Sequence, residues 1–271
     1  MVAAAVLKAH PPGGLERWTR RSSAGQPVTL FEGPGYALGA VAGALAGCGG
    51  GPAAVAGAGA AAFGALDDLA GDNTHKGLRG HLAAALRGEV TTGAIKIVGL
   101  VATGALSALM IDRSSASQGT RGPGVLATVT GGGVIAGSAN VANLLDLRPG
   151  RTLKVVLLLA VPLVAGSPAS TAQVAASAAA GAAVGSLRGD LAGRSMLGDT
   201  GANSAGALLG TALVARTGLR GRLLALAMVT ALTLASERVS FTRVIESTPG
   251  LRELDALGRR RSPRTSGVPG Q

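Results

Sequence analysis

The run GAIKIVGLVATGALSALMI, Gly93–Ile111, holds one charged residue, Lys96, in an otherwise apolar sequence. It matches the ~20 residues that a helix needs to cross a bilayer. Residues 122–140 form a second run of this kind. Six shorter runs lie at 34–48, 53–66, 154–169, 172–187, 200–215 and 221–236. Together they predict an all-α fold, a polytopic membrane helix bundle with about eight to nine transmembrane helices. The stretch GCGGGP, Gly47–Pro52, reads either as a tight turn or as a kink in one long helix. Pro162 predicts a kink in its span, which membranes tolerate.

Composition supports this reading. Of 271 residues, 47% are hydrophobic and 14% charged, with a mean hydropathy of +0.41, whereas soluble domains carry about 25% charged residues. Aromatic residues make up only 2%. The 44 glycines sit inside apolar runs, where small residues let helices approach closely. Net charge is +11, but the basic residues lie between apolar segments. The expected partner is therefore the membrane and its anionic groups, with no nucleic acid. The lone cysteine, Cys48, excludes an internal disulfide and a cysteine-rich metal site. The N-terminal MVAAAVLKA is too short to span and has no cleavage motif. It reads as the stub of a helix rather than a signal peptide.

Charge sets the orientation. Segments 15–33, 67–92, 141–154, 188–199 and 237–271 hold 18 of the 25 Lys and Arg, against five in the opposite loops. That bias predicts a multi-pass protein of the cell membrane with the first set cytoplasmic. Of 14 Asp and Glu, only Asp112 falls on the other side. Acids do not set topology, so their clustering points to a function on the cytoplasmic face.

Three acidic motifs lie there. GALDDLAGDNTHKGLRGHLAAALRGE, Gly64–Glu89, holds Asp67, Asp68 and Asp72, followed by Lys76, Arg79 and His81; its HLAAALRGEV portion reads as an amphipathic surface helix. SANVANLLDLRPGR, Ser138–Arg151, spaces Asn140, Asn143 and Asp146 by three, on one helical face, ahead of Arg148. SMLGDTGANSAGALLG, Ser195–Gly210, sets Asp199 between glycines at a helix start. Backbone amides open to a ligand are expected there. Two spans separate each motif from the next, so all three return to one face. Adjacent carboxylates are costly near a bilayer unless a cation offsets them. Hard oxygen donors without cysteine suit magnesium or manganese. With Lys and Arg nearby, they suit a diphosphate substrate.

The motifs DDLAGDNTHKGL, NVANLLD and MLGDTGANSAGALLG resemble the polyprenyl-phosphate N-acetylhexosamine-1-phosphate transferase superfamily, glycosyltransferase family 4, which includes the phospho-N-acetylmuramoyl-pentapeptide transferases. The resemblance runs from about Arg17 to Gly258. It implies a magnesium-dependent enzyme of cell-envelope glycan synthesis. A polyprenyl phosphate attacks the β-phosphate of a UDP-sugar, and UMP leaves. On this resemblance Asp67, Asp68 and Asp146 are catalytic, Asn143 and Asp199 bind the metal, and Lys76, with Arg79 and Arg148, contacts phosphate. Asn140, Asp72, His81 and Arg238 are secondary candidates. Residues 1–258 then form one transferase-like domain, and 259–271 a basic, disordered cytoplasmic tail. A homodimer is compatible with this.

Departures define two rival readings. No histidine follows His81, where family members carry a histidine-rich loop; Arg238, Arg243, Arg252 and GRRRSPR stand there instead. That favours a non-catalytic relative binding lipid-linked precursors or a partner protein. Intramembrane carboxylates also mark ion paths, so a small transporter is the third reading; it requires acids at mid-membrane.

Overall fold

The first two apolar runs are separate helices joined by a turn. In the computed structural model, which describes residues 2–22, 25–70, 84, 87–117, 124–165 and 170–259, helix α1 covers Val2–Ala9, α2 Glu32–Ala46 and α3 Gly51–Ala70. Gly49 has φ +74, a conformation favourable only for glycine. A Cβ on Gly50 would collide with the Ala44 carbonyl.

Helix α4 spans Thr92–Ser117, α5 Val125–Leu145, α6 Arg151–Val164, α7 Thr171–Leu191, α8 Gly198–Arg216 and α9 Leu219–Ser236. Each predicted run thus coincides with one helix to within a few residues. Pro162 lies inside α6. Two short helices follow, α10 Phe241–Ser247 and α11 Leu251–Ala256. A two-stranded antiparallel hairpin, β1 Thr19–Arg21 and β2 Pro27–Thr29, lies ahead of α2. Thr29 bridges to Ser195, tying the hairpin to the loop before α8.

The described residues are all-α apart from this hairpin. Among the described residues, four helices are long and apolar enough to cross a membrane, at Gly51–Ala70, Thr92–Ser115, Val125–Leu145 and Leu219–Ser236. Helices α2 and α6 are shorter, at 15 and 14 residues. Val98, Val129, Leu224 and Met228 project outward from α4, α5 and α9. Such a surface is at odds with water and matches hydrocarbon, which associates the protein with a membrane.

Helix α8 is the central post. Nearly all of it is buried, from Gly198 to Val214, and it packs against α2, α3, α5 and α7. Its Gly/Ala composition allows this. A Cβ on Gly206 would strike the backbone of Ser138 in α5, so the two helices meet backbone to backbone. Helix α9 lies outside, with Arg222 its only buried residue among those described.

Candidate functional site

Asp199 lies in the first turn of α8, and the C-terminal turn of α3 is packed against it. A Cβ on Gly64 would collide with the Asp199 carbonyl. Small residues thus bring the first and third acidic motifs together.

Asp68 has a capping role. Its Oδ1 accepts from the Asp199 amide at 3.0 Å, and its Oδ2 from the Thr200 amide at 2.9 Å and the Thr200 hydroxyl at 2.6 Å. Leu197, at the cap position of α8, has no acceptor to offer the helix's first amides. A carboxylate from the neighbouring helix supplies it. This corrects the expectation of open amides beside Asp199: two of them already have an anion. Gly198 makes room for it, with φ +58 and a would-be Cβ 3.0 Å from both Asp68 oxygens. Arg20, from β1, donates to the Asp68 carbonyl.

Lys96, in the first turn of α4, joins Asp67 and Asp199. Its Nζ lies 3.4 Å from Asp67 Oδ2 and forms a close ion pair with Asp199. The residue is 8% exposed. A buried ammonium between two carboxylates offsets their mutual repulsion.

Asp146 follows directly on α5 and faces the Gly198 amide. The second motif therefore reaches the same end of α8. Burial, and then the facing Asp190 carboxylate, hold the Asp146 carboxyl well above the usual range. Its Oδ2 has no hydrogen-bond partner among the described residues, and neither has Glu32 Oε1. Glu32 accepts from the Ser195 hydroxyl, and Asp190 accepts from the Gly150 amide at 3.0 Å. Glu32 and Asp190 are buried.

The other predicted residues have these places. Asn143 lies one turn before Asp146, and its carbonyl accepts the Asp146 amide at 3.0 Å. Asn140 donates to Thr233 at 3.1 Å and so links α5 to α9. Arg148 pairs with Glu246 of α10 at 3.0 Å. Arg238 is exposed just beyond α9. Asp72, Lys76, Arg79 and His81 lie outside the described residues, as does half of the surface helix expected over 81–90; of the rest, 87–90 are a turn and irregular chain rather than helix.

Three members of this acidic end went unrecognised in the sequence. Lys96 had a signal, being a lone lysine in an apolar run. Glu32 and Asp190 had none beyond falling in segments that the charge bias assigns to one side. The post-α9 segment also docks here. Arg151 grips Asp255 through two bonds of 2.8 and 3.1 Å, Arg259 reaches the same carboxylate at 2.9 Å, and Lys154 donates to the carbonyls of Leu254, Asp255 and Leu257. Burial alone would raise the Asp255 carboxyl, but its hydrogen bonds and ion pairs with Arg151 and Arg259 hold it below the usual range.

Carboxylate donors are what magnesium takes. Among the described residues, no three His, Cys, Asp or Glu are gathered into one ion's shell. Magnesium commonly binds through only one or two carboxylates, completed by water and substrate phosphate. Asp67 and Asp199, side by side at the mouth of α8, fit that mode. Comparison with protein-family models, curated proteins and solved structures finds no match for this chain.

Proposed function

We propose that the protein transfers a phospho-sugar from a UDP-sugar to a polyprenyl phosphate in the membrane, releasing UMP. One observation carries this reading. Asp67, Asp68, Lys96, Asp146 and Asp199 come from four helix ends far apart in sequence and converge on the start of α8. Their order and motifs resemble the glycosyltransferase family 4 enzymes. On the same reading all eight helices from α2 to α9 cross the bilayer and the acidic end is cytoplasmic, as the charge bias favours.

The residues divide the work. Asp68 holds the α8 start in place. Lys96 positions Asp67 and Asp199, and these two would hold magnesium or manganese. When bound, that ion neutralises the diphosphate. A lipid phosphate has a second pKa near ~6, so it reaches the dianion without a strong base. Its oxygen forms a bond to the β-phosphorus of the donor. The bond from that phosphorus to the bridging oxygen breaks, and UMP leaves with the electron pair. Lys76, Arg79 and Arg148 are the cations proposed for the phosphates.

The test supplies purified protein with labelled UDP-N-acetylhexosamine, undecaprenyl phosphate and magnesium. A labelled sugar–diphosphate–lipid is expected. Its absence with every donor tried overturns the reading. Orientation has its own probe. Cys48 is exposed at the α2–α3 turn, the opposite end of the bundle. A membrane-impermeant maleimide should label it in intact cells.

One observation favours a second reading. Lys96 already places a positive charge between Asp67 and Asp199. A non-catalytic relative that binds lipid-linked precursors could use this arrangement unchanged. Saturable binding of polyprenyl phosphate without turnover would select it.

A further inference from the structure

A cavity of about 470 Å³ lies at the C-terminal end of α7, outside the acidic cluster. Val184, Leu187 and Leu191 form its aliphatic wall, Arg188 and Arg194 its polar side, and Gly258, just past α11, its edge. Spacings of three and four place Val184, Leu187, Arg188 and Leu191 on one helical face. Val184 is 66% exposed on the bundle surface. Both arginines are exposed, and among the described residues neither guanidinium has an ion-pair or hydrogen-bond partner. Arg148, Arg151 and Arg259, by contrast, are engaged, the first with Glu246 and the other two with Asp255.

We infer that this cavity is a binding site for one anionic phospholipid of the surrounding bilayer. The chemistry is two-sided. Two free guanidiniums suit a phosphodiester headgroup, which arginine binds in forked geometry. The aliphatic wall below them suits an acyl chain. On the reading that α7 crosses the bilayer, Arg188 in its last turn and Arg194 just beyond it extend to the headgroup level, where anionic lipid attracts them. The site needs only that α7 crosses the bilayer; it is independent of the transfer reaction.

The test reconstitutes the full chain in nanodiscs of mixed phosphatidylcholine and phosphatidylglycerol. Native mass spectrometry then reads the lipid retained. One phosphatidylglycerol is expected on the wild type in preference to phosphatidylcholine. R188Q/R194Q should lower its retention by roughly tenfold or more. R216Q/R220Q, which removes two exposed arginines near the α8–α9 turn, should leave it unchanged. If the double variant does not fold, R188Q and R194Q singly carry the test, each losing part of the retention. Three results overturn the site: equal retention by R188Q/R194Q, equal retention of phosphatidylcholine, or displacement of the lipid by inorganic phosphate alone.

Discussion

The two ends of the bundle solve the problem of buried charge in opposite ways. Near the C-terminus of α4, Arg222 meets Asp112 in a closed pair. Its Nη2 lies 2.8 Å from Oδ1 and its Nη1 3.1 Å from Oδ2. Thr128 donates to the same carboxylate at 2.6 Å, and the guanidinium also reaches the Val214 and Ala127 carbonyls. At the other end of α4, roughly 24 Å away at 1.5 Å per residue, Lys96 serves both Asp67 and Asp199. The start of α8 also gathers Asp68 and Asp146, with Glu32 and Asp190 facing Asp146, and two buried oxygens, on Asp146 and Glu32, lack partners among the described residues. A closed pair is structure alone. Buried carboxyl oxygens left without a donor favour a further positive charge, and that asymmetry distinguishes the proposed working end from the anchoring end.

Activity offers the largest contrast. Asp199→Ala should lower product formation by about 10²–10³-fold while the protein stays folded, because Asp68 caps the α8 amides. D112L/R222M should retain activity. Loss in both variants would erase the distinction between the ends.

Stability gives the next largest effect. Breaking the closed pair with Arg222→Met strands a buried carboxylate and should cost about 3–5 kcal/mol. D112L/R222M should recover most of that, since apolar replacement of a whole pair is often neutral. Thermal unfolding in detergent measures both. Lys96→Met should also destabilise the fold, by leaving Asp67 and Asp199 to repel each other. Gly198→Ala is smaller, about 1–3 kcal/mol for a non-glycine residue at positive φ, and the new Cβ also crowds Asp68.

The smallest effect concerns the docked segment. The Asp255 carboxyl is lowered on docking, so its contribution is complete above the ordinary value of 3.8. It is lost as pH falls below that through the lower folded value. Hydrogen exchange across residues 241–256 should therefore stay slow at neutral pH and accelerate only in strong acid. Arg148→Gln, which removes an exposed pair, should change stability by only about 0.2–1 kcal/mol.

The fold was largely legible in sequence. Eight apolar runs gave eight helices, because apolar length and glycine-marked ends are local signals. The turn at Gly47–Pro52 stayed ambiguous because its decisive contact, Gly50 against the Ala44 carbonyl, depends on the chain's path. The site was legible in part. Crossing parity brought Asp67, Asp68, Asp146 and Asp199 to one end. It could not show that Asp68 spends both oxygens on α8, that Asn140 turns toward Thr233, or that Glu32 and Asp190 join the cluster. Those depend on helix rotation, which α8 sets through close backbone packing no single motif encodes.

The most direct measurement is a calorimetric titration of UDP-N-acetylhexosamine into the purified protein, with and without magnesium. The account predicts binding that needs magnesium, disappears in Asp199→Ala and survives in D112L/R222M. Absence of binding, or binding unchanged by Asp199→Ala, would contradict it.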